Sequence, residues 1–141
     1  MWLLGAFFAI FLLSFSCSPT PKGGKTRDEV EEAVALFASK VLYNTDIKTC
    51  KEVLSSYVYF KPFMNVENGY RLTKEQVELL CTELSAKPRN IQNLKEIKVS
   101  ISEVAPKTSI ATVQFIRTDG EVILQQGILL KEINERYYIL W

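Results

Sequence analysis

The fold of this chain is decided by residues 94–141, LKEIKVSISEVAPKTSIATVQFIRTDGEVILQQGILLKEINERYYILW, where apolar and polar side chains alternate in successive runs. Alternation with a period of two is typical of strands that bury one face. The first two runs, residues 95–104 and 109–117, are therefore predicted to be half-buried strands. Their apolar faces are Ile97, Val99 and Ile101 in the first run and Ala111, Val113 and Phe115 in the second.

Two turn signals delimit these runs. Pro106 ends the first run, because proline has no N–H to donate to a ladder. Asp119-Gly120 follows the second run, and Asp-Gly between alternating runs is a strong hairpin signal, since glycine accepts the positive φ of a tight turn. The runs on either side of this dipeptide are therefore expected to pair as antiparallel strands.

The third and fourth runs complete the pattern. Residues 121–130 are apolar on both faces of the predicted strand, as expected of a central strand. A turn at residues 133–135 then leads into a last strand, residues 136–141. The whole stretch thus predicts an antiparallel meander of four strands. The side chains that share one face of the last strand are Tyr137, Ile139 and Trp141.

The N-terminal residues 1–16 carry no charge and are almost entirely apolar. A membrane-spanning helix takes about 20 such residues, so this run is better explained as a secretory signal peptide. Ser14 and Ser16 before Cys17 resemble the lipobox of bacterial lipoproteins, in which the cysteine is acylated and becomes the mature N-terminus. An uncleaved anchor and an ordinary cleaved signal are the alternatives. Ser18 resembles sequences sent to the outer membrane, so we expect a lipid-anchored envelope protein that faces the periplasm.

The next residues, 18–25 (SPTPKGGK), contain two prolines, two glycines and no apolar anchor. Residues 17–25 are therefore predicted to be the lipidated cysteine and a flexible tether, and residues 26–141 suffice for one domain with its own core. The 17 basic and 16 acidic residues give a net charge of +1 without a basic cluster. This balance argues against nucleic-acid binding, which needs several phosphate-neutralising side chains on one face.

Three amphipathic segments predict helices. Thr26 and Glu29 fit a capping box before a long apolar stripe, Asp46 is predicted to cap a shorter helix, and Thr73 with Gln76 forms a capping box for a third. The predicted inner faces are Val30, Ala33, Val34, Phe37, Ala38, Val41 and Leu42 in the first helix, Ile47, Cys50, Val53 and Leu54 in the second, and Val77, Leu80, Cys81 and Leu84 in the third.

The order of elements along residues 26–141 is a long helix, a short helix, an aromatic run, a third helix and a meander that ends on RYYILW. With the hairpin at Asp119-Gly120 and the strand GILLK at residues 127–131, this order resembles the nuclear-transport-factor-2-like (NTF2-like) superfamily, and within it small bacterial lipoprotein domains of unknown function. The resemblance implies an α+β fold in which three N-terminal helices pack on a curved antiparallel sheet. It also implies a cone whose open mouth often holds a small molecule or a partner.

Catalysis is not expected. Enzymes of the superfamily that the chain resembles use Asp, His and Tyr in the cone, but this chain has no histidine, the usual general base near neutral pH. Glu103 and Glu121 lie near predicted turns, where solvated surface is expected. The sequence has no zinc spacing, phosphate-binding glycine motif or Ser-His-Asp set. We therefore expect no catalytic residue, metal or cofactor, and a cone-fold isomerase or hydrolase is the less favoured alternative. The aspartates are assigned to a helix start, a cap and a turn: Asp28, Asp46 and Asp119.

The sequence leaves the role of two groups of side chains undecided. Cys50 and Cys81 lie on predicted apolar helix faces and either form a disulfide, as an oxidising compartment allows, or are small buried hydrophobic residues. An aromatic run at residues 57–64 is predicted to include a short strand, and its rings either cap the core or rim the mouth of the cone. The candidate rim residues are Tyr57, Tyr59, Phe60, Phe63, Tyr70, Tyr137 and Trp141.

Two function classes follow from this interpretation. The first is a membrane-tethered binding module for a small apolar ligand or a protein partner. The second is a structural or accessory lipoprotein of an envelope assembly, with a filled core and no pocket. A pocket of several hundred Å³ lined by the inner side chains would favour ligand binding.

Overall fold

The structure is a computed structural model that describes residues 22–61 and 70–141. Within these residues, three helices precede a four-strand meander, as predicted, and a short strand follows the second helix. The helices are α1 (Arg27–Leu36), continued by a π-helical segment (Phe37–Leu42), α2 (Ile47–Tyr57) and α3 (Lys74–Ala86). The strands are β1 (Val58–Tyr59), β2 (Leu94–Ala105), β3 (Thr108–Arg117), β4 (Val122–Ile133) and β5 (Arg136–Leu140).

The strands of the described residues form one sheet in the order β1-β5-β4-β3-β2. Strands β2 to β5 are antiparallel neighbours, so the predicted meander is confirmed, and β4 has the central place that its apolar parities indicated. At one edge the sheet has a parallel pair that the sequence did not predict: β1 pairs with β5, and Val58 lies opposite Ile139. Parallel strands need a long connection, and the chain between these two runs through α3 and the meander.

The hairpin turns follow from the residues at their tips. Gly120 has a φ of 87°, in the left-handed region, and the Glu121 N–H donates to Asp119 Oδ1 at 2.9 Å. Asn134 and Glu135 have φ values of 52° and 66°. Two successive positive φ angles are typical of the type I′ turn, whose twist matches that of the strands it joins. This turn therefore returns the chain directly from β4 to β5.

Each helix begins at its predicted cap. Thr26 Oγ1 accepts from the Glu29 N–H at 3.2 Å. The Glu29 carboxylate accepts from the Lys25 N–H at 2.7 Å, one residue before the position that the capping box predicted. Both contacts satisfy N–H groups that have no partner within a helix. The caps of the other two helices are those predicted, Asp46 for α2 and Thr73 with Gln76 for α3.

The core lies between the helices and one face of the sheet, with α1 packed against β2, β3 and β5. Phe37 and Phe115 are 2% and 0% exposed and fill the middle of the domain. Ile47, which was predicted to face inward, is 41% exposed, since the first turn of α2 extends past the buried part of that helix. The buried side chains of the core include Val30, Val34, Val41, Leu54, Val113, Leu130 and Ile139.

The end of the predicted tether is bound to the domain, so the predicted boundary at residue 26 lies too late in the chain. The N–H groups of Lys22 and Gly23 both donate to Ser56 O at 2.8 Å, and Gly24 pairs with Tyr137. A Cβ at Gly23 would lie 2.7 Å from Cζ of Tyr138. Glycine is therefore required here for close approach to the sheet edge, and not only for flexibility.

A disulfide joins Cys50 of α2 to Cys81 of α3, and both residues are fully buried. Helix α3 packs mainly against α2. The bridge closes a loop with a sequence separation of 31, and a loop of this size is worth about 4 kcal/mol in the chain-entropy model. It therefore fixes the position of a helix that contributes few buried side chains of its own.

We predict that Phe37→Ala lowers the free energy of unfolding by about 3 to 5 kcal/mol, because it removes a buried ring and leaves a cavity. Denaturant unfolding measures the change. Leu79→Ala on α3 is the control, since Leu79 is 61% exposed and its truncation should leave stability nearly unchanged. Equal stability of the Phe37→Ala variant and the unmodified chain would mean that the stripe of α1 does not face the core.

Candidate ligand-binding groove

A groove of about 780 Å³ opens at the end of the domain where the π segment and α3 meet the sheet. A smaller cavity of about 190 Å³ adjoins it, since Leu42, Gln126 and Trp141 line both. The wall on the helical side carries three apolar side chains of α3 and also Glu83, and two further charged side chains, Lys87 and Arg89, lie after the end of that helix. The apolar side chains of the groove are Leu42, Leu80, Leu84, Ala86 and Trp141.

Trp141 separates the filled core from the groove. Its ring meets the Phe37 ring edge-on, with 5.2 Å between centroids, and lies 5.5 Å from the Phe60 ring. The backbone N–H of Trp141 donates to Tyr59 O at 2.9 Å, and the backbone carbonyl of Trp141 accepts from the Lys61 N–H at 2.6 Å. These contacts fix the half-buried indole from both sides, so it forms a preformed apolar surface at the inner end of the groove.

The π segment brings Leu42 to the groove and ends at a polar clamp. Asn44 has a positive φ of 46°, and its N–H donates to Arg89 O at 2.8 Å. Its side-chain oxygen accepts from the Ile91 N–H at 2.9 Å. The clamp holds the residues after α3 against the helical layer, and Arg89 therefore borders the groove. Turns of π-helix are rare and occur frequently at functional sites.

Gln126 is the polar side chain that β4 contributes to the groove. It shares its parity with Leu124 and Ile128, lies opposite Val113 of β3, and is half-buried. Within residues 22–61 and 70–141 its side-chain amide has no hydrogen-bond partner. A half-buried amide of this kind can donate to and accept from a bound polar group.

A second cavity, of about 240 Å³, lies where α1 begins, at the opposite end of β5 from Trp141. Tyr137 lines it together with Ser109 and Glu103. Burial, and then the negative charge of Glu132, raises the pKa of the Tyr137 hydroxyl above its ordinary value of 10.0. Tyr137 is therefore a neutral hydroxyl at neutral pH. Glu103 is exposed, as expected from the sequence.

Three of the predicted rim residues lie together. Phe60 and Tyr70 exchange two backbone hydrogen bonds, at 2.7 and 2.8 Å, and their rings lie 6.3 Å apart. Phe60 then contacts Trp141. Tyr70 is 49% exposed, so this group extends from the core to the surface beside the groove.

The other rim residues that the structure describes, Tyr57, Tyr59 and Tyr137, lie elsewhere, so these residues do not form a single rim. The Tyr59 ring contacts Tyr138 at 5.0 Å, on the face of the sheet turned away from the helices. Tyr57 is half-buried at the end of α2, and Tyr137 lies at the second cavity. Successive residues of a strand point to opposite faces, which is why Tyr59 and Phe60 cannot serve the same site.

Two predicted site residues, Cys17 and Phe63, lie outside the described residues, so lipidation of Cys17 stays a prediction. In the described part of the chain, the helices are too short or too polar to cross a membrane. Over the same residues, no three His, Cys, Asp or Glu side chains are grouped as a metal site would require.

The sequence interpretation did not single out Gln126, Lys87 or Arg89. A signal for Gln126 was present, because it is the polar residue on a face of β4 that is otherwise apolar. Lys87 and Arg89 carried no such signal, since they follow α3 at its Pro88 terminator and reach the groove only through the clamp at Asn44.

The described residues place helices on one face of a five-strand sheet, which is the α+β fold class that the sequence predicted. No protein-family model and no curated protein matches the chain. The chain is similar to the 2.00 Å crystal structure of a Campylobacter jejuni protein provisionally named an NTF2-like transpeptidase, at 13% identity and a TM-score of 0.46, over 82% of this chain and 99% of that one. A similarity of this size says nothing about activity.

We predict that alkaline pH destabilises the domain partly through Tyr137. Its pKa is raised in the folded state, so the folded chain holds the phenolic proton more tightly than the unfolded chain. The stabilising contribution is complete below about pH 10 and is lost as pH rises through the folded pKa. Tyr137→Phe should therefore lose less stability between neutral and strongly alkaline pH than the unmodified chain.

Thermal unfolding across this pH range, with tyrosinate absorbance followed in parallel, measures the effect. Tyr70→Phe is the control, because Tyr70 is 49% exposed. An identical pH dependence in the Tyr137→Phe variant and the unmodified chain would contradict the prediction.

Proposed function

We propose that this chain is a membrane-tethered lipoprotein of the cell envelope whose domain is a non-catalytic binding module, with the groove beside Trp141 as its binding site. The observation that carries the proposal is the groove itself. Phe37 and Phe115 fill the middle of the domain, yet about 780 Å³ remains open beyond Trp141. A purely structural domain with a filled core does not need this space.

The groove has the volume of a small-molecule site, with a more polar lining than most such sites have. Such sites measure about 300 to 1,000 Å³ and combine a largely apolar lining with a few placed polar groups. Here α3, the π segment and Trp141 provide the apolar half of the lining, and the polar half consists of Thr45, Glu83, Lys87, Arg89 and Gln126. The indole is already held by Phe37 and Phe60, so a ligand would not have to order it.

A binding role is favoured over catalysis by the chemistry of the lining. The chain has no histidine, and the ionisable side chains at the groove are Glu83, Lys87 and Arg89. Glu83 is the carboxylate of this lining and is exposed to solvent, whereas catalytic acids and bases are typically placed in a buried, desolvated setting. The structural or accessory lipoprotein remains the alternative function, and it requires that the groove has no occupant.

An envelope location rests on two features. The apolar run before Cys17 resembles a lipoprotein signal, and Ser18 favours the outer membrane with the domain in the periplasm. The disulfide between Cys50 and Cys81 is the second feature, because disulfides persist in oxidising compartments and are rare in reducing ones.

We predict that Leu84→Glu abolishes capture of small molecules by the groove. Leu84 is half-buried on the groove side of α3. Covering a carboxylate there with an apolar ligand body would cost its desolvation free energy, which opposes binding. Mass spectrometry of molecules that co-purify with the full chain measures the capture. The matched control is Leu79→Glu, which places the same charge on the exposed side of the same helix.

Thermal melts of both variants are needed, because a charge on α3 can also destabilise the domain. If Leu84→Glu unfolds the domain, Ala86→Trp is the second variant, since it fills the groove from an exposed position without burying a charge. Retention of every co-purifying molecule in folded Leu84→Glu or Ala86→Trp protein would contradict the assignment of the groove as the site.

We predict that Cys17→Ala releases the protein from membranes or leaves its precursor unprocessed, because the cysteine is the proposed site of acylation. Cell fractionation and the electrophoretic mobility of the chain measure the outcome. Thr20→Ala is the control, since it changes a nearby residue of the predicted tether and leaves both the proposed anchor and the disulfide intact. Unchanged fractionation and mobility of the Cys17→Ala variant would rule out the lipid anchor.

A further inference from the structure

The charges at the open side of the groove are unequal. Lys87 and Arg89 line the groove, Lys61 lines the adjoining cavity, and Glu83 is the acidic side chain at the groove. All four residues are exposed, so their charges are solvated. Three cations against one anion make this edge of the domain locally positive, although the whole chain has a net charge of only +1.

The basic side chains are not neutralised by ion pairs. Within residues 22–61 and 70–141, the salt bridges are those of Arg27 with Glu31 and of Arg117 with Glu121. Arg89 is positioned by its backbone carbonyl, which accepts from the Asn44 N–H, so its guanidinium is left available. A guanidinium offers donors in a planar fork that fits carboxylate and phosphate oxygens.

The groove thus has an apolar part and a cationic part. Leu80 and Leu84 lie on the inner side of α3, and Lys87 and Arg89 follow where that helix ends. An occupant that satisfies both parts has a hydrocarbon body and a negative end. The Gln126 amide, which lines the groove beside Trp141, can bind a further polar atom of such a molecule.

We propose that the groove binds a single-chain amphiphile with an anionic head group, such as a carboxylate or a phosphate. The hydrocarbon chain lies against Leu42, Leu84 and the Trp141 indole, and the head group meets Arg89 and Lys87. This inference rests on the proposed function, because it names the class of ligand for the same groove. The charge pattern disfavours a cationic amphiphile, for which Glu83 would be the acidic contact at the groove.

The experiment uses Trp141 as its own reporter. The chain has two tryptophans, Trp2 and Trp141, so full-length Trp2→Phe protein, held in phosphatidylcholine nanodiscs, has Trp141 as its sole source of indole fluorescence. Octanoate, octanol and octylammonium are titrated in parallel, since they share the chain length and differ in the charge of the head group. We expect a saturable change in Trp141 emission, with octanoate reaching half-saturation at the lowest concentration.

Charge variants identify the head-group contact. Arg89→Glu should raise the half-saturating concentration of octanoate about tenfold, which is the loss of one charge-assisted hydrogen bond, and should leave that of octanol unchanged. Lys87→Glu should act in the same direction. Lys95→Glu is the control, because Lys95 is an exposed residue of β2 and does not line the groove. Added salt should weaken octanoate binding and not octanol binding.

The outcomes separate the two proposals. If octanol or octylammonium binds as tightly as octanoate, or if Arg89→Glu has no effect on octanoate, the anionic class is overturned and the groove stands as a binding site. If no probe gives a saturable response in folded protein, the inference and the proposed function both fall. A protein segment that co-purifies in the groove and is not displaced by octanoate would likewise overturn the amphiphile.

Discussion

The packing of Phe37 between α1 and the sheet is the interaction on which the rest of the domain depends. Its ring is 2% exposed and meets the Trp141 ring edge-on. Phe37 is also the residue at which the α-helix becomes a π-helix. The wider π turn carries Leu42 toward the groove, so Phe37 both completes the core and begins the segment that forms one wall of the groove.

Most of the fold could be predicted because its determinants are local. A period of two predicted β2 to β5, and short polar side chains before apolar stripes predicted where the helices begin. The parallel edge strand β1 and the docking of residues 22–25 could not be predicted in the same way. Both depend on pairing with β5, which lies about eighty residues away from β1 in the sequence. A two-residue strand and a pair of glycines have no side-chain pattern from which the pairing strand could be predicted.

The candidate site was harder to predict because its residues come from separate elements. The many aromatic residues in this part of the sequence indicated the region of the groove, since Phe60, Tyr70 and Trp141 do lie together beside it. The number of aromatic residues does not show which face of the sheet each one lies on. Successive strand residues point to opposite faces, which places Tyr59 on the other side of the sheet from Phe60. Gln126 and Arg89 join the groove through the sheet register and the Asn44 clamp, which only the tertiary structure brings together.

The docked residues 22–25 also set the orientation that a lipid anchor would impose. Cys17 precedes Lys22 by five residues, which span at most about 17 Å when fully extended, so an acylated Cys17 would hold this end of the domain close to the bilayer. The groove lies at the far end of α1 and the π segment, roughly 20 Å along the helical axis. Its occupant would then arrive through the aqueous phase. Transfer from a bilayer to water costs about 0.8 kcal/mol per CH₂, so a single chain with a charged head leaves the membrane far more readily than a two-chain lipid.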